Sequence, residues 1–297
     1  MTLGQAAPTS WHSWSASAAA MLGVDADYSY PRALARQYAP ADPAFADGTA
    51  GDVSAAFNSD ASWWFPSDGD AGVLEDEGFY DDGDGRKAVK YDFEQIALHE
   101  MLHGLGFISS WYPWTGTAEL LPSAPVYEGE SVEGLSRPFI FNRWMADAAG
   151  GAWMREHEAT IVSSARASAA NNMSEWAVRF AATEGAAVAK ALYAGVATTP
   201  GALRIWYPAG RSLELRFAIL YTPSNFSVGS SISHLDDTFY GGTGQFLMRP
   251  YATGFGILDN IVPRRAAVGN EGPGPMGETV LGILRALGYS TALGPLG

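Results

Sequence analysis

His99, Glu100 and His103 stand in the spacing H-E-x-x-H within YDFEQIALHEMLHGLGFISSW, residues 91–111. On a helix, positions four apart lie on one face, one above the other. Both imidazoles can then aim a ring nitrogen at one point about 2 Å away, the length of a zinc–nitrogen bond. Glu100 points roughly 60–100° around the helix from them. That direction suits a carboxylate that touches an activated water rather than the metal. The rival reading is two core histidines that happen to be four apart. Phe93, Ile96, Ala97, Leu98, Met101 and Leu102 nevertheless cover nearly the whole circumference of this helix, the pattern of a buried one. Unpaired imidazoles and a carboxylate there cost about a few kcal/mol per group, and a shared metal removes much of that cost.

A catalytic zinc takes three protein ligands and keeps a fourth position for water. The chain has no cysteine, so the third ligand must be His, Asp or Glu. Three other histidines exist: His12, His157 and His234. His12 lies near a terminus without a supporting pattern. His157 sits in MREHEAT, a charged stretch that reads as an exposed helix. His234 lies in GSSISHLDD, just after a predicted strand. Fourteen residues further on comes Met248, in GQFLMRPYATG.

The string HEMLHGLG also fits HExxHxxG, in which Gly106 lets the chain leave the helix sharply. These features resemble the metzincin clan of zinc peptidases, whose longer motif reads HExxHxxGxxH. Here the last position is Ser109. The order HExxHxxGF, inserted segment, late histidine and downstream methionine is similar to the leishmanolysin-type branch. The likeness extends over residues 91–290, including the closing helix. Two departures accompany it: leishmanolysins proper are disulfide-rich, and no pro-segment cysteine is present here.

The resemblance implies one catalytic Zn2+ held by His99, His103 and His234. Glu100 would be the general base and then the acid in peptide-bond hydrolysis. Met248 would form a soft apolar floor beneath the histidines. Tyr251 would be a candidate oxyanion donor by position, against the rival view that it packs under its loop. The substrate would be a protein or peptide, added as a strand to a sheet edge, with Ser59–Phe65 as the candidate edge. Two alternatives stand beside this metalloendopeptidase reading. One is a non-catalytic, zinc-stabilised binding or adhesion protein on the same scaffold. The other is a gluzincin-type peptidase with a glutamate as third ligand.

The expected fold class is α+β, a metzincin-like domain with a mixed β-sheet, the active-site helix and a large insertion. Residues 1–297 read as one catalytic domain. Residues 1–107 form an N-terminal part with the motif helix, 108–230 the insertion, and 231–297 a C-terminal part with the third ligand, the Met-turn and a last helix. The motif helix should start near Phe93, with Asp92 as its cap and Gln95 completing a capping box. Further helices are expected over Arg32–Tyr38, Phe139–Ala149, Ser174–Ala194 and Gly277–Gly288. Strands are expected over Asp52–Phe57, Leu203–Pro208 and Leu213–Tyr221, from their alternation. Pro113–Gly134 reads as loop-rich, and Asp81–Gly85 as an acidic turn.

Composition narrows the partners. The net charge of −14 argues against nucleic acid and against anionic membrane surfaces. No apolar run reaches about 18 residues, so no membrane span is expected. Ala16–Val24 lacks the preceding basic region of an export signal, since the first basic residue is Arg32. The N-terminus therefore reads as mature or truncated sequence. Secretion is what the resemblance implies, with glycosylation acceptors at Asn172 and Asn225 adding slight support. A cytoplasmic location is the alternative, and the oligomeric state is left open.

Overall fold

The structure, a computed structural model, describes residues 2–46, 50–65, 79–81, 87–114, 117–209, 214–241, 243–251 and 274–291. Helices and small sheets alternate along the chain, an α+β arrangement. The motif helix runs over Phe93–Gly104. The Asp92 carboxylate caps it, accepting from the N–H groups of Glu94 (2.8 Å) and Gln95 (3.2 Å). The chain leaves the helix through Gly106 at φ 95°, left-handed backbone that a side chain disfavours. A Cβ there would also fall 2.8 Å from Pro31 Cγ. One face of the helix packs on the strands Gly4–Pro8 and Val53–Phe57. It is not buried all round: Met101 is 43% exposed, because the strands cover only one side.

The expected mixed sheet is absent among the described residues. The strands of the first 107 residues pair two by two. Gly4–Pro8 runs antiparallel to Val53–Phe57, and Trp11–His12 to Tyr30–Pro31. Trp63–Trp64 runs parallel to Tyr91–Asp92, leading into the motif helix. The strands are short, and Pro8 and Pro31 sit at non-hydrogen-bonded positions of their pairs, where proline removes no ladder donor.

The stretch 108–230 departs further from expectation. Phe139–Ala149 is not a helix but a 3-10 turn, Ile140–Trp144, followed by a strand, Met145–Asp147. Met145 pairs with Ile205 on the strand Leu203–Pro208, and that tertiary pairing overrides local helix propensity. The Leu203–Pro208 strand is central, with Leu215–Ile219 on its other side. The expected long helix Ser174–Ala194 is broken into Met173–Ala181 and Glu184–Leu192. Thr183 makes the break, its hydroxyl accepting from Ala186 N–H as a new N-cap. Within the loop-rich stretch lie two hairpins, one pairing Tyr112–Pro113 with Leu120–Leu121 and the other Pro125–Glu128 with Ser131–Leu135. His157 belongs to the helix Met154–Ala167, whose inner face buries Met154, Glu158, Ile161 and Ala165. That helix is amphipathic rather than exposed. Ala16–Leu22 is a short helix capped by Ser15. The acidic turn after Asp81 lies outside the described residues.

The last helix, Gly277–Leu287, packs on Leu203–Pro208. A single cluster of buried apolar side chains runs from Tyr28 through Trp176 and Met248 to Tyr289. All three stretches of the chain feed it. No helix among the described residues is long and apolar enough to cross a membrane.

Candidate metal centre

His99 and His103 leave the motif helix on one face, as their spacing requires. His234 reaches them from a bend without regular structure. The Nε2 atoms of His99 and His234 lie 3.2 Å apart, those of His103 and His99 3.1 Å, and those of His103 and His234 3.2 Å. Each ring turns its other nitrogen to a backbone carbonyl. His99 Nδ1 meets Leu247 O at 2.6 Å, His103 Nδ1 meets Phe107 O at 2.8 Å, and His234 Nδ1 meets Ser230 O at 2.8 Å.

These contacts fix the tautomers. A carbonyl accepts only, so each Nδ1 carries the proton and donates it. Each Nε2 is then a bare acceptor, and three acceptors face one another at contact distance. A second proton on any ring would relieve this, but burial and the neighbouring imidazoles oppose it. The His99 pKa is pushed down to about 3, first by burial and then by His103. Burial lowers His103 and takes His234 well below its usual value. A cation at the centre of the triangle would satisfy all three acceptors. Tetrahedral zinc, with bonds of about 2.0–2.1 Å, spaces its ligand nitrogens about 3.3 Å apart, close to the separations here. His99, His103 and His234 thus fit zinc, and they form the one cluster of metal-binding side chains found among the described residues.

The centre opens into a cleft of about 670 Å³. Glu100 lines it and is itself buried. Burial raises the Glu100 pKa to about 7, opposed by the Ala6 N–H that donates to its carboxylate. Ala6 belongs to the strand Gly4–Pro8. In the pairing of this strand with Val53–Phe57, Asn58 N–H donates to Leu3 O (2.8 Å) and Thr9 N–H to Asp52 O (3.1 Å). Odd residues therefore face the partner strand. Gly4 and Ala6 turn their amide groups the other way, toward Glu100. A Cβ on Gly4 would sit 2.9 Å from Glu100 Cγ, so the strand reaches this carboxylate only with glycine there.

The candidate edge Ser59–Phe65 does not line the cleft; residues 2–6 do. Sequence reasoning missed this strand because GQAAP holds no β-branched or aromatic residue. Met248 is fully buried, in the turn Phe246–Arg249. Its carbonyl accepts from Leu235 N–H at 2.7 Å, which ties the turn to the residue after His234. Arg249, also missed, pairs with Asp237 at 2.9 Å and closes the same loop. Tyr251 lines the cleft and is half exposed, its hydroxyl 2.6 Å from that of Tyr221. It does not pack under its loop. His12 and His157 are not brought to the centre. His12 Nε2 instead meets Ser10 Oγ at 2.8 Å.

A family model described as SPBPB7E8-like matches residues 3–124. That range holds the Gly4–Pro8 strand and the motif helix and stops short of His234. The uncharacterized protein PB7E8.01 of Schizosaccharomyces pombe is 27% identical over 292 residues, covering 88% of this chain and 46% of that protein. The chain thus spans about half the length of this curated relative. No solved structure matches it.

Proposed function

We propose that this chain is a zinc-dependent endopeptidase, with a metzincin-like catalytic domain distantly similar to the leishmanolysin type. One observation carries the reading. Three imidazoles, two buried and that of His99 partly so, present bare Nε2 atoms to one point, at the wall of a cleft that also holds a buried glutamate. Zinc, when bound, supplies a Lewis acid that polarises a scissile carbonyl and acidifies a water.

The chain's own residues do the rest. His99, His103 and His234 hold the metal as neutral ligands, each oriented by a carbonyl behind it. Glu100 takes the proton of the attacking water and passes it to the leaving amine. The Ala6 N–H and the close approach of Gly4 hold that carboxylate in place. A peptide lies extended along residues 2–6, which line the cleft beside Glu100. Tyr251, which also lines the cleft, is the candidate donor to the developing oxyanion.

The histidine cluster leaves a gluzincin's third carboxylate without a role. A zinc-stabilised binding protein remains the second reading, and Glu100 separates the two. Glu100→Gln should keep one zinc per chain and lose cleavage of an unfolded protein by at least about 10²-fold. A variant that cleaves as fast as the parent would refute the catalytic assignment.

A further inference from the structure

His234 stands in a bend without helix or strand, so its ring stays in the triangle only if its neighbours are held. The backbone two residues earlier is strained. Ile232 has φ 69°, the one non-glycine residue with positive φ among the described residues. A β-branched side chain rarely adopts that conformation, and it persists only where the surroundings impose it. Ile232 is fully buried, and its N–H donates to Tyr221 O at 2.8 Å. The next residue, Ser233, is the link to the segment that follows the motif helix. Its Oγ accepts from the backbone N–H of Ser109 at 3.1 Å.

Ser109 is fixed in turn from the inserted stretch. Its Oγ donates to Asn142 Oδ1 at 3.0 Å, and Ser110 N–H reaches the same oxygen at 3.3 Å. Asn142 Nδ2 donates to Ser110 Oγ at 2.9 Å and to Pro122 O at 3.4 Å. Asn142 is fully buried, and Ser109 and Ser233 nearly so. Water does not substitute readily for these partners, and an orphaned buried donor costs about 1–3 kcal/mol.

We infer that Ser233, Ser109 and Asn142 form a polar latch that sets the position of His234, with Ser233 as the chief positioning residue for metal binding. The inference rests on the zinc reading above. Loss of the Ser233 hydroxyl leaves the Ser109 N–H buried and unpaired and frees the strained turn at Ile232 to relax. His234 then moves off the other two ligands.

The test is zinc affinity of the purified chain, measured by competition with a chromophoric chelator. The visible spectrum of the cobalt(II) form reads the ligand geometry, and the melting temperature of the metal-free protein reads folding. Ser233→Ala should weaken zinc about 10–100-fold, the range for lost outer-sphere partners. It should also alter the cobalt spectrum, while the metal-free protein still unfolds cooperatively, its melting temperature lowered by about a few degrees. Ser233→Thr, which keeps the hydroxyl, should restore both readouts. Ser109→Ala keeps the amide but releases Asn142, and should weaken zinc by a smaller factor. It decides the question if Ser233→Ala fails to fold. Parent-like zinc affinity and cobalt spectra in the alanine variants would overturn the latch while leaving the zinc reading intact. A parent chain that takes up no zinc overturns the metal reading, and the latch with it.

Discussion

At the scale of single residues, the centre depends on tautomers and on close approach. Gly4 illustrates the second. A methyl group at that position would meet the Glu100 side chain at 2.9 Å, and either the strand or the carboxylate must shift. Gly4→Ala should therefore retain zinc while kcat/KM falls by at least about tenfold. Parent-like hydrolysis by that variant would mean that the strand does not clamp Glu100. Glu158 offers a test that is independent of the metal. It is buried, accepts from Tyr28 Oη at 3.1 Å, and has its pKa raised from 4.5 to about 7, chiefly by burial. The fold thus favours the protonated form. That contribution is whole below about pH 4.5 and is lost as pH rises through 7, on the order of 3 kcal/mol in all. Glu158→Gln stays neutral throughout. Its stability advantage over the parent should grow between pH 4.5 and 7 in urea unfolding. A difference that does not change with pH would contradict the assignment.

At the scale of elements, the motif helix was legible because its signals are local. Asp92 caps it, Gly106 ends it, and two histidines four apart mark its working face. Asp92→Ala should cost about 0.5–2 kcal/mol, read from the denaturant midpoint; an unchanged midpoint would mean that the cap is idle. Val53–Phe57 and Gly277–Leu287 were legible from period and composition. His234 was legible because few histidines competed for the role and a methionine followed it. Other parts were set by contacts that local patterns do not carry. Gly4–Pro8 is a strand because Val53–Phe57 and the motif helix cover it, although its own residues favour none. Met145–Asp147 leaves the expected helix because Leu203–Pro208 offers it a ladder. The break between the helices Met173–Ala181 and Glu184–Leu192 did have a signal, the cap residue Thr183 followed by Glu184. The run of alanines around it masked that signal.

At the scale of the whole molecule, the inserted stretch is part of the machine. The strand Leu203–Pro208 carries the last helix, Trp176 and Phe180 sit in the common core, and Asn142 reaches the exit of the motif helix. Excision of residues 115–225 should abolish both cooperative unfolding and zinc uptake. A folded, zinc-binding product would instead make the insertion an appendage. The acidic net charge of −14 also bears on encounter. Acidic substrates should associate more slowly at low salt than neutral ones, and the gap should close as salt rises. The central claim concerns the metal and the bond it helps to break. The most direct measurement is cleavage of an unfolded protein by the chain after exhaustive chelation, and again after one equivalent of zinc is restored. The account predicts no cleavage without metal, recovery with zinc, and neither zinc uptake nor recovery in His234→Ala. Undiminished cleavage by the fully stripped chain would contradict it.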